Sequence, residues 1–240
     1  MTAVLDFAGK TVLVAGIGKR GQTGEAIVDA FADRGARLVL VGRSAESADQ
    51  YVEVLRVRNI EAFGHGCDLT DAAALAALGN LVAAQAPTGV HGLVLLAGGY
   101  ETSGPIEESD PAVWDHLMSI NLATAYHTTR AFLPLVRQAR GSLVYFSSAS
   151  ALPGGTVSGM SAYVAAKSGV LALMRAVAAE ERGSGVRANA LAPTAIRTAS
   201  NLASMGTDMR YVDRETIAQW VLYLTDPSSG PVSGQAFRLG

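Results

Sequence analysis

Two side chains four residues apart raise the first chemical question in this sequence. Tyr163-Val164-Ala165-Ala166-Lys167 places a phenol and an ammonium at i and i+4, which on a helix is one face. A positive charge beside a phenol favours the phenolate, so Lys167 is expected to draw the Tyr163 pKa down from about 10. Each unit of lowering needs about 1.4 kcal/mol of differential interaction. Several units need a partly dry site and a further positive charge. A tyrosine so tuned gives a proton to a carbonyl oxygen, or takes one from an alcohol, near neutral pH. The surrounding stretch 161–179 is apolar nearly all round. That predicts burial on more than one side, where a lysine is costly unless it has a task or a partner. Fifteen residues before Tyr163 lies Ser148, just past the apolar run ending in Phe146. A hydroxyl there can share the negative charge developing on a substrate oxygen. Ser147 and Ser150 compete for the same role.

A second constellation lies near the start of the chain. Gly16-Ile17-Gly18-Lys19-Arg20-Gly21-Gln22-Thr23-Gly24 separates a β-type run from a helical pattern. Glycines at 16, 18, 21 and 24 let backbone N–H groups approach a pyrophosphate, and the helix N-terminus adds partial positive charge. The dinucleotide type is argued from the end of the next apolar run. An NAD-preferring site places an acid there to bind the ribose hydroxyls. This run ends Val41-Gly42-Arg43-Ser44, without an acid. Arg43 can pair with a 2′-phosphate, and Lys19 and Arg20 can join it. The cofactor expected is therefore NADP(H) rather than NAD(H).

These residues need a scaffold. Short apolar runs at 11–15, 37–41, 92–96, 142–146, 187–191 and 235–239 alternate with helical patterns at 25–34, 72–86, 111–139, 161–182 and 215–224. Continuous apolar strands mean burial on both faces, and alternation with helices means right-handed βαβ units. The fold class expected is α/β: a Rossmann-like, doubly wound parallel sheet in a single domain spanning 1–240. Ligands of such sheets bind beyond the carboxyl ends of the strands, where both constellations fall.

Bulk properties exclude several function classes. The chain has 240 residues, 49% hydrophobic and 17% charged, too apolar for disorder. A net charge of -2 supplies no field for nucleic acid or an anionic membrane. The single cysteine, Cys67, allows no intrachain disulfide and suits a reducing compartment. The first ten residues lack a long apolar core, and no apolar run approaches the ~18 residues of a membrane span. A cytoplasmic location is expected. His65, His91, His116 and His127 are scattered, and no metal site is read.

Taken in order, the motifs resemble the short-chain dehydrogenase/reductase family over almost the full length. The Gly16–Gly24 turn is similar to the family's TGxxxGxG loop. Cys67-Asp68-Leu69 resembles the adenine-binding motif after the third strand, and Leu95-Leu96-Ala97-Gly98 sits where the family has Asn-Asn-Ala-Gly. Asn121 matches the helix asparagine, Phe146-Ser147-Ser148 the strand with the serine, and Tyr163 and Lys167 the signature pair. Asn189 to Thr194 resembles the Asn-x3-Pro-Gly segment, with Pro193, Ile196 and Thr198 toward the nicotinamide. The resemblance implies a tetrad: Tyr163 as acid/base, Lys167 lowering its pKa and holding the ribose, Ser148 orienting the carbonyl, and Asn121 anchoring a water-mediated proton path. It implies a small carbonyl or alcohol substrate, and assembly into a dimer or tetramer through the 161–179 helix and the 111–139 segment.

The sequence also departs from the family. Ala15 replaces a threonine, the glycine loop carries two extra residues, leucines replace the Asn-Asn pair, and Thr194 follows Pro193 in place of glycine. The region 199–213, where relatives carry a substrate lid, is short. Ala97-Gly98-Gly99, Pro193-Thr194 and this lid resemble the quinonoid dihydropteridine reductase-like branch. Tyr100, Leu152, Gly155, Met160 and Met205 are candidate pocket residues. The altered loop leaves an alternative of a different class: a non-catalytic NADP(H)-binding sensor or scaffold.

Overall fold

β-Branched and leucine residues fill the first apolar run, and every residue of strand β1 (Thr11–Ile17) except Gly16 is buried. The computed structural model describes residues 5–240, so the first four residues of the segment judged free of a leader lie outside it. After β1 the chain alternates α1 (Thr23–Ala32), β2 (Arg37–Gly42), α2 (Ala45–Val57), β3 (Ala62–Gly66), α3 (Ala72–Gln85) and β4 (Gly92–Leu95). Then follow α4 (Pro111–Leu117), α5 (Thr124–Ala139), β5 (Ser142–Phe146), α6 (Ser161–Glu180) and β6 (Arg187–Pro193). A two-residue strand β7 (Ile196–Arg197), helix α7 (Ala199–Met205), a second short strand β8 (Val212–Asp213), helix α8 (Arg214–Thr225) and β9 (Ala236–Leu239) complete the described chain.

One parallel sheet of seven strands runs in the order β3-β2-β1-β4-β5-β6-β9. Strand direction explains the continuous apolar runs. Val12, Val14, Leu38 and Leu40 point into a core under α1, α2 and α8. Leu13, Val39, Leu93 and Leu143 point into a second core under α3, α5 and α6. With both faces covered, neither set tolerates polarity. The strand order reverses between β1 and β4, which makes the crevice at their carboxyl ends the expected ligand position of a doubly wound sheet.

Several elements differ from the sequence expectation. The 111–139 helical pattern is interrupted by a π turn over Met118–Ala123. The cause is local: the Asn121 side-chain amide donates to the Leu117 carbonyl at 3.0 Å, four residues back, in competition with the backbone ladder. Strand β3 was hidden by Gly64 and Gly66. A Cβ at Gly66 would lie 2.4 Å from the Ala45 amide nitrogen, so α2 can pack there only against glycine. Helix α2, with its reciprocal Ser44–Ser47 cap, and α7 with the β7–β8 pair were likewise absent from the sequence reading.

Helix α6 is covered on two sides, as expected. Val170, Leu171, Met174 and Val177 face the second core, while Gly169 presses against Leu122: a Cβ there would come within 2.8 Å of the leucine. By length and composition this helix could cross a membrane; here it is a core helix packed on the sheet.

The tightest backbone approach lies at the strand-order reversal. Gly16 has φ +90°, and a Cβ on it would lie 2.4 Å from the Ala97 nitrogen. Gly16→Ala therefore combines left-handed strain with a backbone clash. Urea unfolding is expected to show a loss of roughly 2–4 kcal/mol; an unchanged midpoint would contradict the approach of β1 to the β4 loop.

Candidate active site

The carboxyl edge of the sheet carries two clefts that meet at Gly16, Gly18 and Gly98. One, about 390 Å³, is lined by Lys19, Arg43, Asp68, Leu69 and Ala97 among others. The other, about 330 Å³, is lined by Gly24, Tyr163, Lys167, Pro193, Ile196 and Thr198 among others. Most residues singled out in the sequence therefore fall on one continuous surface.

Gly21 does not line either cleft. Its N–H donates to a Glu25 carboxylate oxygen at 2.9 Å, and its carbonyl accepts from the Ala199 amide. Glu25 also holds Arg20 at 2.7 Å and Arg214, from α8, at 2.9 Å. Burial pushes this carboxyl up, but the Gly21 N–H and the two guanidiniums outweigh it and hold Glu25 below the usual range. Arg20 is thus spent on Glu25 and lies over the Tyr51 ring, 5.7 Å from its centroid. The Tyr51 hydroxyl in turn donates to the Gly18 carbonyl at 3.1 Å. Sequence reasoning missed Glu25, Tyr51 and Arg214. The only sequence signal was a glutamate in the first turn of α1, four residues after Gly21.

The start of α1 fits a phosphate. Gln22 gives no side-chain cap, and Gln22, Thr23 and Gly24 line the cleft, so the helix presents first-turn N–H groups there. The Arg43 side chain is exposed beside Asp68. The hydroxyl and N–H of Thr70 hold Asp68 below the usual carboxylate range, with Arg43 adding a smaller pull. This half offers a cation, an acid and an apolar wall from Leu69 and Ile120.

The other half holds the phenol. Tyr163 and Lys167 share a face of α6, with the ammonium 5.9 Å from the ring centroid. Lys167 is buried, and its Nζ donates to the Phe146 carbonyl at 3.0 Å. Burial alone brings this ammonium down to about 8. The sequence expectation that Lys167 lowers the Tyr163 pKa is not met by these residues alone. Burial pushes the phenol above its ordinary value, Ser148 pulls against that rise by a hydrogen bond, and Tyr100 adds to it. Desolvation wins because the ammonium sits behind the ring and is directed at a carbonyl.

Ser147 lines the Tyr163 cleft while its hydroxyl donates to the Lys167 carbonyl at 3.0 Å, and Ser148 and Asn121 lie outside the lining of both clefts. Ser148 stands against Tyr163, and its oxygen also accepts from the Ser150 amide. Asn121 is buried and fully engaged: it exchanges hydrogen bonds with Gly99 at 3.2 and 3.0 Å. Gly98 lies beneath both groups, and a Cβ on it would meet Asn121 Oδ1 at 2.5 Å and Lys167 Nζ at 3.0 Å. Thr198 caps α7 by accepting from the Asn201 amide. Of the candidate pocket residues, Tyr100 lines the cleft; Leu152, Gly155, Met160 and Met205 lie outside its lining.

Comparison with known proteins decides the family. The profile described as short chain dehydrogenase matches residues 10–207. The chain belongs to the short-chain dehydrogenase/reductase family. A 2-(S)-hydroxypropyl-CoM dehydrogenase of Xanthobacter autotrophicus is 30% identical, over 96% of this chain and 95% of its own. A galactitol 2-dehydrogenase (L-tagatose-forming) of Cereibacter sphaeroides is 33% identical, over 96% and 92%. Among solved structures, a short-chain type dehydrogenase/reductase from Mycobacterium ulcerans superimposes with a TM-score of 0.86, at 27% identity, over 98% of this chain and 89% of that one. A 3-oxoacyl-[acyl-carrier protein] reductase with bound NAD from Brucella melitensis gives 0.82 at 26% identity, over 96% and 89%. The short-chain dehydrogenase described here is thus an oxidoreductase-type enzyme with a dinucleotide-binding fold and a small-molecule site.

The buried ammonium generates a pH signature. Lys167 has a lower pKa folded, about 8, than unfolded, so unfolding takes up a proton between about pH 8 and 10.5. Stability of the wild type relative to Lys167→Met is expected to rise through that window by about 3 kcal/mol and to be flat below it. Denaturant unfolding of both proteins from pH 7 to 10.5 measures this; parallel curves would mean an unburied lysine.

Proposed function

We propose that this chain is an NADP(H)-dependent carbonyl reductase or alcohol dehydrogenase acting on a small organic substrate. One observation carries the reading: Tyr163, beside Ser148 and backed by Lys167, opens into the same cleft as the uncapped start of α1. A reacting carbonyl in that cleft meets a proton donor and a second hydroxyl on one side and a phosphate-binding turn on the other.

The cofactor, when bound, supplies or accepts a hydride. The chain's own residues do the rest. In reduction the Tyr163 hydroxyl gives its proton to the substrate oxygen while the Ser148 hydroxyl donates a hydrogen bond to the same atom. Lys167 keeps its ammonium behind the phenol and has donors beyond the one spent on Phe146 for a ribose hydroxyl. Asn121 positions Gly99 and, through the π turn, the wall opposite α6; a water-linked proton path beside it belongs to the same reading. In oxidation the phenol must lose its proton, and burial alone opposes this. Pro193, Ile196 and Thr198 would hold a nicotinamide in this cleft, and its positive charge when oxidised would favour the phenolate.

The preference for NADP(H) rests on Arg43 in the adenosine half and on the absence of an acid at the end of β2. The Brucella reductase holds NAD, so the preference is argued for this chain from its own residues. Neither relative named above is a dihydropteridine reductase, and the pterin substrate is not carried over. Residues 199–213, with α7 and β8, form a short lid over the Pro193–Thr198 side. Trp114 and Tyr126, both more than 40% exposed on α4 and α5, support assembly of the chain into a dimer or tetramer. A cytoplasmic location accords with the lone thiol.

Two measurements test the reading. Tyr163→Phe is expected to lower turnover at least 100-fold while leaving the cofactor dissociation constant unchanged; wild-type turnover in that variant sinks the mechanism. Arg43→Ala is expected to weaken NADPH binding roughly ten- to hundredfold by calorimetry and to leave NADH binding unaltered. Equal effects on both would remove the 2′-phosphate contact. Tight binding of cofactor without turnover of any carbonyl would favour a sensor or scaffold.

A further inference from the structure

The Tyr163 cleft is short of charge. Among the described residues lining it there is no aspartate, glutamate, histidine or arginine. Its one cation, Lys167, is buried and donates to the Phe146 carbonyl. Arg43 and Lys19 belong to the other cleft. Arg197, beside the rim, is paired with Asp213 at 2.9 Å, and Arg210 lies outside the lining. A carboxylate entering beside the reacting carbon would give up water and find no cation in exchange.

What the site offers in place of charge is an aromatic surface. Tyr100 stands edge-to-face with Tyr163, their ring centroids 5.1 Å apart and the planes at 89°. Tyr100 as a residue remains 62% exposed at the mouth of the cleft. The ring is held by its chain neighbours rather than by a pocket of its own. Gly99, just before it, is fixed by Asn121, and a Cβ on Gly99 would come within 2.9 Å of Ile120. An aromatic ring fixed beside the proton donor and half open to solvent is a platform for a flat apolar group.

We infer that the substrate is an uncharged aryl ketone or its secondary alcohol, seated on Tyr100, and not an oxo or hydroxy acid. This rests on the oxidoreductase reading above. The step balances without a charged substituent: the carbonyl carbon gains a hydride from the reduced nicotinamide, the oxygen takes the Tyr163 proton, and a neutral ketone becomes a neutral alcohol. Tyr100 acts as a specificity residue through its ring.

The test compares ethyl phenylglyoxylate with phenylglyoxylate, which share an aryl carbonyl and differ in charge, using NADPH. The ester is expected to show at least a tenfold higher kcat/KM. Tyr100→Ala is expected to lower kcat/KM for the ester about tenfold, mainly through KM, with NADPH affinity unchanged as evidence of an intact fold. Tyr100→Phe is expected to restore it. An acid reduced as well as the ester, an unaffected Tyr100→Ala, or turnover of neither compound overturns the inference. The oxidoreductase reading is judged separately, by Tyr163→Phe on whichever carbonyl or alcohol the enzyme does turn over.

Discussion

A charged ammonium inside an apolar helix must be met by something, and the site is organised around how Lys167 is met. Among the described residues its one hydrogen bond runs to the Phe146 carbonyl at the end of β5, which fixes α6 in register against the strand. Ser147 adds a second tie from the same strand end to the Lys167 carbonyl. The phenol and the Ser148 hydroxyl are brought together as a consequence of these two bonds. The ammonium also helps set the limit on its other neighbour: a Cβ at position 98 would come to 3.0 Å from it and to 2.5 Å from Asn121 Oδ1, and the residue there is glycine. A buried charge of this kind costs stability, and its retention beside an open cleft marks a place where packing gives way to chemistry.

The nucleotide turn shows a different economy. Two residues longer than the family pattern, it is not left loose. Tyr51 holds the Gly18 carbonyl, Glu25 holds the Gly21 N–H, and the Ala199 amide holds the Gly21 carbonyl. Through Glu25 and Arg214 the turn is tied to α8 as well. The extra length is absorbed by contacts pointing away from the clefts, while Gly16, Gly18 and Gly24 keep their faces toward them.

Sheet polarity gives the two ends of the molecule different electrostatics. Helix N-termini gather at the carboxyl edge with the clefts. Helix C-termini gather at the opposite edge, where their dipoles present partial negative charge. Arg187, at the start of β6, donates to the Leu224, Thr225 and Asp226 carbonyls at the end of α8. Arg140 follows α5 in the left-handed region, and Arg182 follows α6. Arg187 at this edge is accounted for by the end of α8.

Much of this was legible in sequence. Apolar runs buried on both faces specify a parallel sheet, and glycines between a strand and a helix specify a phosphate-approaching turn, because both follow from local sterics and burial. Tyr163 and Lys167 share a face because helical spacing is fixed. Strand β3 was illegible because its glycines answer to α2, distant in sequence. The fate of Gly21 depended on a glutamate and an arginine from α8. The Tyr163 pKa depended on how deeply the ring is buried and where the Lys167 ammonium points, and neither is set by spacing. Sequence alone thus determined which groups share an element and which edge of the sheet they reach. Tertiary structure decided which backbones come close enough to require glycine, which donors are already spent, and how dry the phenol is, because desolvation and contact are properties of segments meeting across the fold.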